Sequence, residues 1–497
     1  MIILPLYIDG QFAETPKRQK VMNPSTGEAL AEVSSAGDKE VRMALEAARK
    51  QADSGEWPRL PLAKRKEYIL KIHQGILDKA VELAKLESDN GGKPIKETTF
   101  MDIPSSADTF RYFAENLEKF LVAKEINIST QISNSQAHLK REPMGVVVLI
   151  VPWNYPLLIA SWKLAQALAA GNTVILKPSS LTPLTALELA KIIHAAGLPA
   201  GTVNILIGSG DAIGEQLCSA KEVDMISFTG SNEVGKKILT YASSNVKKTI
   251  MELGGKSASL IFKDADFDAA VNSALGSIFL NQGQMCTAMS RILVQEEIYD
   301  NFVADFVAKA KKIRIGKSDD FETQIGPLIS EAQRKRVVAC VEKAENEGAK
   351  VLCGGKIPDS FALKNGFFFE PTIIADVTPQ MSIWKEEVFG PVACLVKFSG
   401  VDEAVALANQ SDFALAASIW TKDEDAAQKV GRRLNAGTVW VNTYGMFFNE
   451  LPYGGFKQSG FGKELGEAGL LEYSRLKNLI IENTKETKPL VSYWYGG

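Results

Sequence analysis

The sequence predicts an α/β protein with two parallel-sheet domains and a smaller β module. Three observations predict it. Between residues 145 and about 262, short apolar strands alternate with helical runs, as in a parallel sheet covered on both faces. A second stretch with strands and helices runs from about 267 to 455. Between the first helices and the first sheet, residues 124–142 (KEINISTQISNSQAHLKRE) place β-branched residues among polar ones, as an exposed hairpin does.

The opening MIILPLYIDGQF is apolar but lacks a basic start, contains Pro5 and reaches Asp9 early, so it does not read as a signal peptide. Through 38–122, apolar residues recur three and four apart in KEVRMALEAARKQA and RKEYILKIHQGILDKAVELAKLE, which predicts helices. GVVVLIVP, NTVILKP, TVNILIG, VDMISFTG, KTIMELGG and SASLIF read as strands, with helical runs near 156–170, 183–196, 211–219 and 232–243. RILVQ, KVLCGG, PTIIADV, PVACLVKF, ASIWT and GTVWVN supply the second set. The tail KNLIIENTKETKPLVSYWYGG adds a strand and an aromatic end. The expected division is 1–123 with 143–253, then 254–458, with 124–142 and 474–497 as the third module.

Among 497 residues, 56 basic side chains face 59 acidic ones, a formal charge of −3, which argues against a general nucleic-acid binder. No apolar run approaches the ~20 residues that span a bilayer. Five cysteines at 218, 286, 340, 353 and 394 form no CxxC pair, so a zinc ribbon lacks its spacing and a reducing cytoplasm is the expected location. Only three histidines occur, and His73 and His194 sit inside helical patterns. Neither a metal site nor a histidine-based triad is expected.

Several short matches fail on their chemistry. Gly255-Lys256-Ser257 ends like a P-loop, but Ile250 stands where the first glycine must be. Asp264, Asp266 and Asp268 begin like a calcium loop, yet Ala269 and Leu275 replace its turn glycine and bidentate acid, leaving a helix start. Gly208, Gly210 and Gly214 are spaced one residue too long for the dinucleotide fingerprint and read as a loop. Cys286 is different. Where Cys394 lies in the apolar run PVACLVKF, Cys286 lies in the polar, small-residue stretch NQGQMCT, which singles it out while a catalytic and a structural role both stay open at this point.

Seven stretches then carry a resemblance: PWNYPLL (152–158), TVILKPS (173–179), ISFTGSNEVG (226–235), MELGGKSA (251–258), GQMC (283–286), EEVFGP (386–391) and PYGGFKQSGFGKELG (452–466). In their order and separations they resemble the aldehyde dehydrogenase superfamily across nearly the whole chain. The resemblance implies a Rossmann-like cofactor domain, a catalytic domain, a β oligomerisation module and NAD(P)-dependent oxidation of an aldehyde to its acid.

Residue by residue, the resemblance implies that Cys286 is the nucleophile and Asn154 an oxyanion donor. Glu252 becomes the base that activates water, with Lys163 and Glu464 as a pair supporting proton transfer. Lys177, Ser180, Gly230, Ser231, Glu387, Phe389 and Trp153 would hold the cofactor, and Tyr155, Trp162 and Tyr453 would line the substrate tunnel. Many NAD-preferring relatives carry glutamate where Ser180 stands, so acceptance of both NAD and NADP is expected. Aromatic tunnel walls modestly favour a cationic aldehyde such as betaine aldehyde or an aminoaldehyde. A generic aliphatic, aromatic or semialdehyde substrate, or a non-catalytic binding protein on the same scaffold, stays open. The hairpin and tail imply a homodimer or homotetramer.

Overall fold

A computed structural model describes residues 3–129, 134–360, 363–483 and Tyr495. Five parallel strands form the centre of an eight-stranded sheet, in the spatial order Lys248–Glu252, Met225–Thr229, Val146–Ile150, Thr173–Lys177, Val203–Ile205. Val147 pairs with both Val174 and Met225, so the strand GVVVLI lies between two others and is apolar throughout. Helices Pro156–Ala170, Leu184–Ala196 and Asn232–Ala242 supply the crossovers. The edges are antiparallel: Gly460–Phe461 on one side, Leu6–Ile8 with Gln11–Ala13 on the other. The apolar start of the chain is therefore an edge of this sheet.

The second sheet has seven strands, ordered Lys350–Cys353, Thr372–Ala375, Val392–Phe398, Arg291–Gln295, Ala258–Ile261, Ala416–Trp420, Thr438–Val441. All pairs but the first are parallel. SASLIF, which followed KTIMELGG in the strand–helix series, belongs here instead. No helix separates these two strands because the chain passes between sheets through Gly254-Gly255, where a Cβ at 255 would run into the Cys286 carbonyl. A second correction concerns Gly208, Gly210 and Gly214. Residues Gly210–Gly214 are a wide helical turn leading into Glu215–Ser219, started by the Ser209 hydroxyl accepting from the Ala212 N–H. The acids at 264–268 do start a helix, Phe267–Phe279, capped by Asp266.

Strands Lys124–Ser129, Asn134–Pro143 and Ser474–Glu482 form a separate antiparallel sheet. The aromatic end at 492–497, Tyr495 apart, lies outside the described residues. Strands Ile3–Leu4, Ala29–Ser34 and Arg18–Met22 make another small sheet that the sequence patterning did not suggest. Among the described residues, no helix is long and apolar enough to cross a membrane. All five cysteines are free.

Candidate active site

Open parallel sheets bind ligands beyond the carboxyl ends of their strands, where backbone groups are unpaired and loops diverge. Asn154, Lys177, Gly230 and Glu252 all sit at or just past such ends in the first sheet. A cavity of about 690 Å³ lies here, lined by Glu252, Cys286, Tyr155, Trp162, Tyr453 and Lys163, among others. Glu464 also reaches it.

Cys286 ends an unusual turn. Asn281, Gln282 and Gly283 have φ of 46°, 56° and 69°, three successive left-handed residues, two of which are not glycine. Side chains hold the turn in that shape. The Asn281 amide donates to the Asn154 carbonyl at 3.1 Å and the Gln284 carbonyl at 3.2 Å. Gln282 donates to the Gly92 carbonyl at 2.8 Å, and the Gln284 side chain accepts the Ile329 N–H at 3.0 Å. The polar residues that made this stretch conspicuous therefore tie down the backbone that presents the sulfur. Asn154 joins them, donating from Nδ2 to the Gln284 carbonyl at 2.8 Å with its second amide hydrogen left over.

The electrostatics keep protons on the site. Burial pushes the Cys286 thiol up to about 12; the Tyr453 hydroxyl, 3.2 Å from Sγ, pulls it down, while Glu387 and Glu252 push it further up. A thiol in free solution would already be a few per cent ionised at neutral pH, and this one is much less so. Glu252 is buried with neither carboxylate oxygen hydrogen-bonded. Burial and then the Glu464 charge raise its pKa well above the usual range, against Lys163 and Lys463.

Lys163 and Glu464 form a buried ion pair at 2.6 Å. Lys163 also donates to the Ser227 hydroxyl at 2.7 Å, and Gln166 donates to Glu464 at 2.7 Å. Tyr473 donates to Ser227 at 3.1 Å. Ser227, Gln166 and Tyr473 were not anticipated; Ser227, a buried polar residue in the apolar strand MISFT, carried the one signal that could have found it, whereas Tyr473 sits between a helix and a strand with no such mark.

The cofactor set is brought together in part. Trp153 and Phe389 meet edge to face at 5.2 Å. Glu387 accepts the Gly255 N–H at 3.0 Å, and burial raises its carboxyl to about 7. Ser231 caps the helix Asn232–Ala242 through the Val234 N–H. At Gly230 a Cβ would stand 2.5 Å from the buried Phe228 ring, so a larger residue would have to displace that ring. Lys177 is buried, which lowers its pKa to about 8, and Ser180 lies half-buried three residues on. On the substrate side, Trp162 packs against Tyr453 at 5.4 Å and Phe447 at 5.9 Å. Tyr155 has the Lys93 ammonium 3.5 Å above its ring.

A sulfur and an unpartnered carboxylate facing one cavity, beside a glycine-led helix start, make this cleft the candidate active site of an α/β enzyme. The chain matches the aldehyde dehydrogenase family over residues 12–479 and belongs to it; it is an enzyme that oxidises aldehydes. It is 44% identical over 492 residues to a betaine aldehyde dehydrogenase of Bacillus subtilis, covering 99% of each. A peroxisomal aminoaldehyde dehydrogenase of Malus domestica is 42% identical over 95% of each chain. The crystal structure of betaine aldehyde dehydrogenase from Staphylococcus aureus in complex with NAD+ superposes with a TM-score of 0.94 at 39% identity, covering 98% of this chain and 96% of that one.

Proposed function

We propose that this enzyme converts an aldehyde to its carboxylic acid through a thiohemiacetal and a thioester on Cys286. The observation that carries this reading is the unpaired Glu252 carboxylate lining the same cavity as the Cys286 sulfur. Ionised Glu252 takes the thiol proton and the sulfur bonds to the carbonyl carbon. The Asn154 amide and the Cys286 N–H receive the oxygen, whose negative charge is greatest at that point. NAD(P)+, when bound, supplies the acceptor for the hydride that leaves this carbon. Glu252 passes its proton on by way of the Lys163–Glu464 pair and then takes one from water. The water oxygen bonds to the thioester carbon, the carbon–sulfur bond breaks, and acid and free thiol are restored. Because the base must be ionised and its pKa is raised, turnover climbs as pH rises through that value.

Residues 1–123 with 143–253 are the proposed cofactor domain and 254–458 the catalytic one. Their fit to a dinucleotide rests on the cradle: Gly230 where a Cβ collides, the free helix start at Ser231, the Trp153–Phe389 contact and the Glu387 carboxylate. The pyrophosphate belongs at that helix start, Lys177 and Ser180 at the adenosine ribose, and Glu387 at the nicotinamide ribose. NAD use follows from the NAD+ complex of the relative, and acceptance of NADP from the hydroxyl of Ser180. A cationic aldehyde is the favoured substrate, on the relatives' named activities and the Trp162, Tyr453 and Phe447 rings. Tyr155 contributes less to cation binding because Lys93 already covers one of its faces. The reading includes a homodimer or homotetramer in the cytoplasm, the latter in keeping with five free thiols.

Rapid mixing tests the mechanism. Cys286→Ala forms no reduced cofactor and keeps the native melting temperature. Glu252→Gln yields at most one equivalent of reduced cofactor per site and then stalls. Multiple turnovers by Glu252→Gln at the native rate overturn the assignment.

A further inference from the structure

We infer that the Tyr453 hydroxyl is a catalytic hydrogen-bond donor to the Cys286 sulfur, present to stabilise the thiolate as well as to wall the tunnel. This rests on the proposed role of Cys286 and assigns the phenol a task of its own. The oxygen stands 3.2 Å from Sγ. Its position is fixed from three sides. The Tyr453 N–H donates to the Glu464 carbonyl at 2.6 Å and its own carbonyl accepts from Glu464 at 2.8 Å. The ring packs on Trp162 at 5.4 Å and on Phe447 at 5.5 Å. Only 7% of the residue is exposed, so the hydroxyl cannot swing away to water.

A phenyl ring would line the cavity equally well, and the hydroxyl adds a polar atom to an apolar wall. Among the described residues, the hydrogen-bond partner of that atom is the Cys286 sulfur. Toward a thiol, a phenol can donate or accept; toward a thiolate it can only donate, and the bond becomes charge-assisted. The contact is therefore worth more after ionisation than before. Burial holds the Tyr453 proton well above its usual range, so it remains a donor wherever the thiol ionises. Glu252 and Glu387 face the sulfur and disfavour its charge, and Tyr155 and Tyr444 stand within electrostatic reach of it. Against two acids, the phenol is the side chain that favours the anion.

The size of the effect follows from thiol reactivity. Lowering a thiol pKa by about one unit raises the thiolate fraction tenfold well below that pKa, while each thiolate becomes about 2.5–3-fold less nucleophilic. The net gain is about 3–4-fold.

The test is Tyr453→Phe, which deletes one atom and keeps the ring. Cofactor-free protein is labelled with iodoacetamide at several pH values, and the rate at Cys286 is read by mass spectrometry. The variant is expected to label about 3–4-fold more slowly throughout the neutral and mildly alkaline range, and the thiolate ultraviolet absorbance to appear at higher pH. Tyr453→Leu, which also removes the wall, raises the aldehyde KM, whereas Tyr453→Phe leaves it within about twofold. Labelling of Tyr453→Phe at the native rate or faster overturns the inference. Turnover that survives full labelling of Cys286 overturns the nucleophile assignment instead, so the two failures are distinguishable.

Discussion

Glu97 holds the turn before Cys286 in place without lining the cavity. Both its oxygens receive the Asn281 N–H, at 3.2 and 3.0 Å, at the first of the three left-handed residues. Burial raises its carboxyl from 4.5 to about 8, with Asp102 adding to this and Lys93 and the Asn281 N–H opposing it. Lys93 itself is ion-paired with Asp102, and Asp102 in turn raises Glu87. The folded state therefore keeps a proton that the unfolded chain releases above 4.5. Stability from this proton is complete at low pH and is lost as pH rises toward and through about 8, at a limit of about 1.4 kcal/mol per pH unit. Glu97→Gln retains an acceptor for Asn281 and cannot titrate. Urea midpoints measured between pH 6 and 9 should fall less steeply for the variant than for the native enzyme. Parallel curves would remove Glu97 as their cause. Nothing in KETTF marks this glutamate from sequence, because its partner lies 184 residues away. Cys286 was legible for the opposite reason: its own neighbours in the chain do the holding.

Elements with one consistent environment were readable from pattern. Inner strands such as Val146–Ile150, Thr173–Lys177, Ala258–Ile261 and Arg291–Gln295 are buried along their whole length, so they stand out as apolar runs. Where two strands followed one another without a helix, as at Lys248–Glu252 and Ala258–Ile261, the strand pattern ran on through both, and only the expected boundary at 254 separated them. Short edge strands such as Gln11–Ala13, mostly exposed, leave no periodic trace. The end of Thr173–Lys177 carries a prediction proper to this scale. The strand fixes Lys177, and Ser180 follows in the loop where many NAD-preferring relatives place an acid. A carboxylate there would face the 2′-phosphate of NADP, and one charge pair at ~4 Å in an effective dielectric of 20 is worth about 4 kcal/mol before screening. The native enzyme should use NADP with a kcat/KM within about tenfold of that for NAD, and Ser180→Glu should lose at least tenfold with NADP alone. Raising pH through about 8 neutralises Lys177 and should weaken NADP more than NAD. A hundredfold native preference for NAD would end the idea.

At the scale of the molecule, the three-stranded sheet is a poor structure for a single chain. In Ser474–Glu482, Leu476, Leu479 and Ile480 are 58%, 59% and 63% exposed, and side chains alternate, so Leu476 and Ile480 share one face while Leu479 and Ile481 share the other. Ile126 and Ile128 on the far strand are also open. An edge strand this apolar, in a sheet too small to cover itself, invites pairing with another chain. The strand is also anchored inward. Tyr473, one residue before it, is buried and donates to Ser227, which donates to Glu464 at 3.0 Å. Whatever covers the sheet therefore also steadies one end of the network beside Glu252. A second copy of the chain is the expected cover. Light scattering across a range of dilutions should give twice or four times the chain mass for the native protein. Leu479→Asp places a charge in that contact, where it must be desolvated without a partner, and should raise the dissociation constant at least tenfold while leaving the monomer folded by circular dichroism. A native protein that is monomeric at tens of micromolar, or a Leu479→Asp variant that dilutes like the native one, would show that the exposed strand serves something other than self-association.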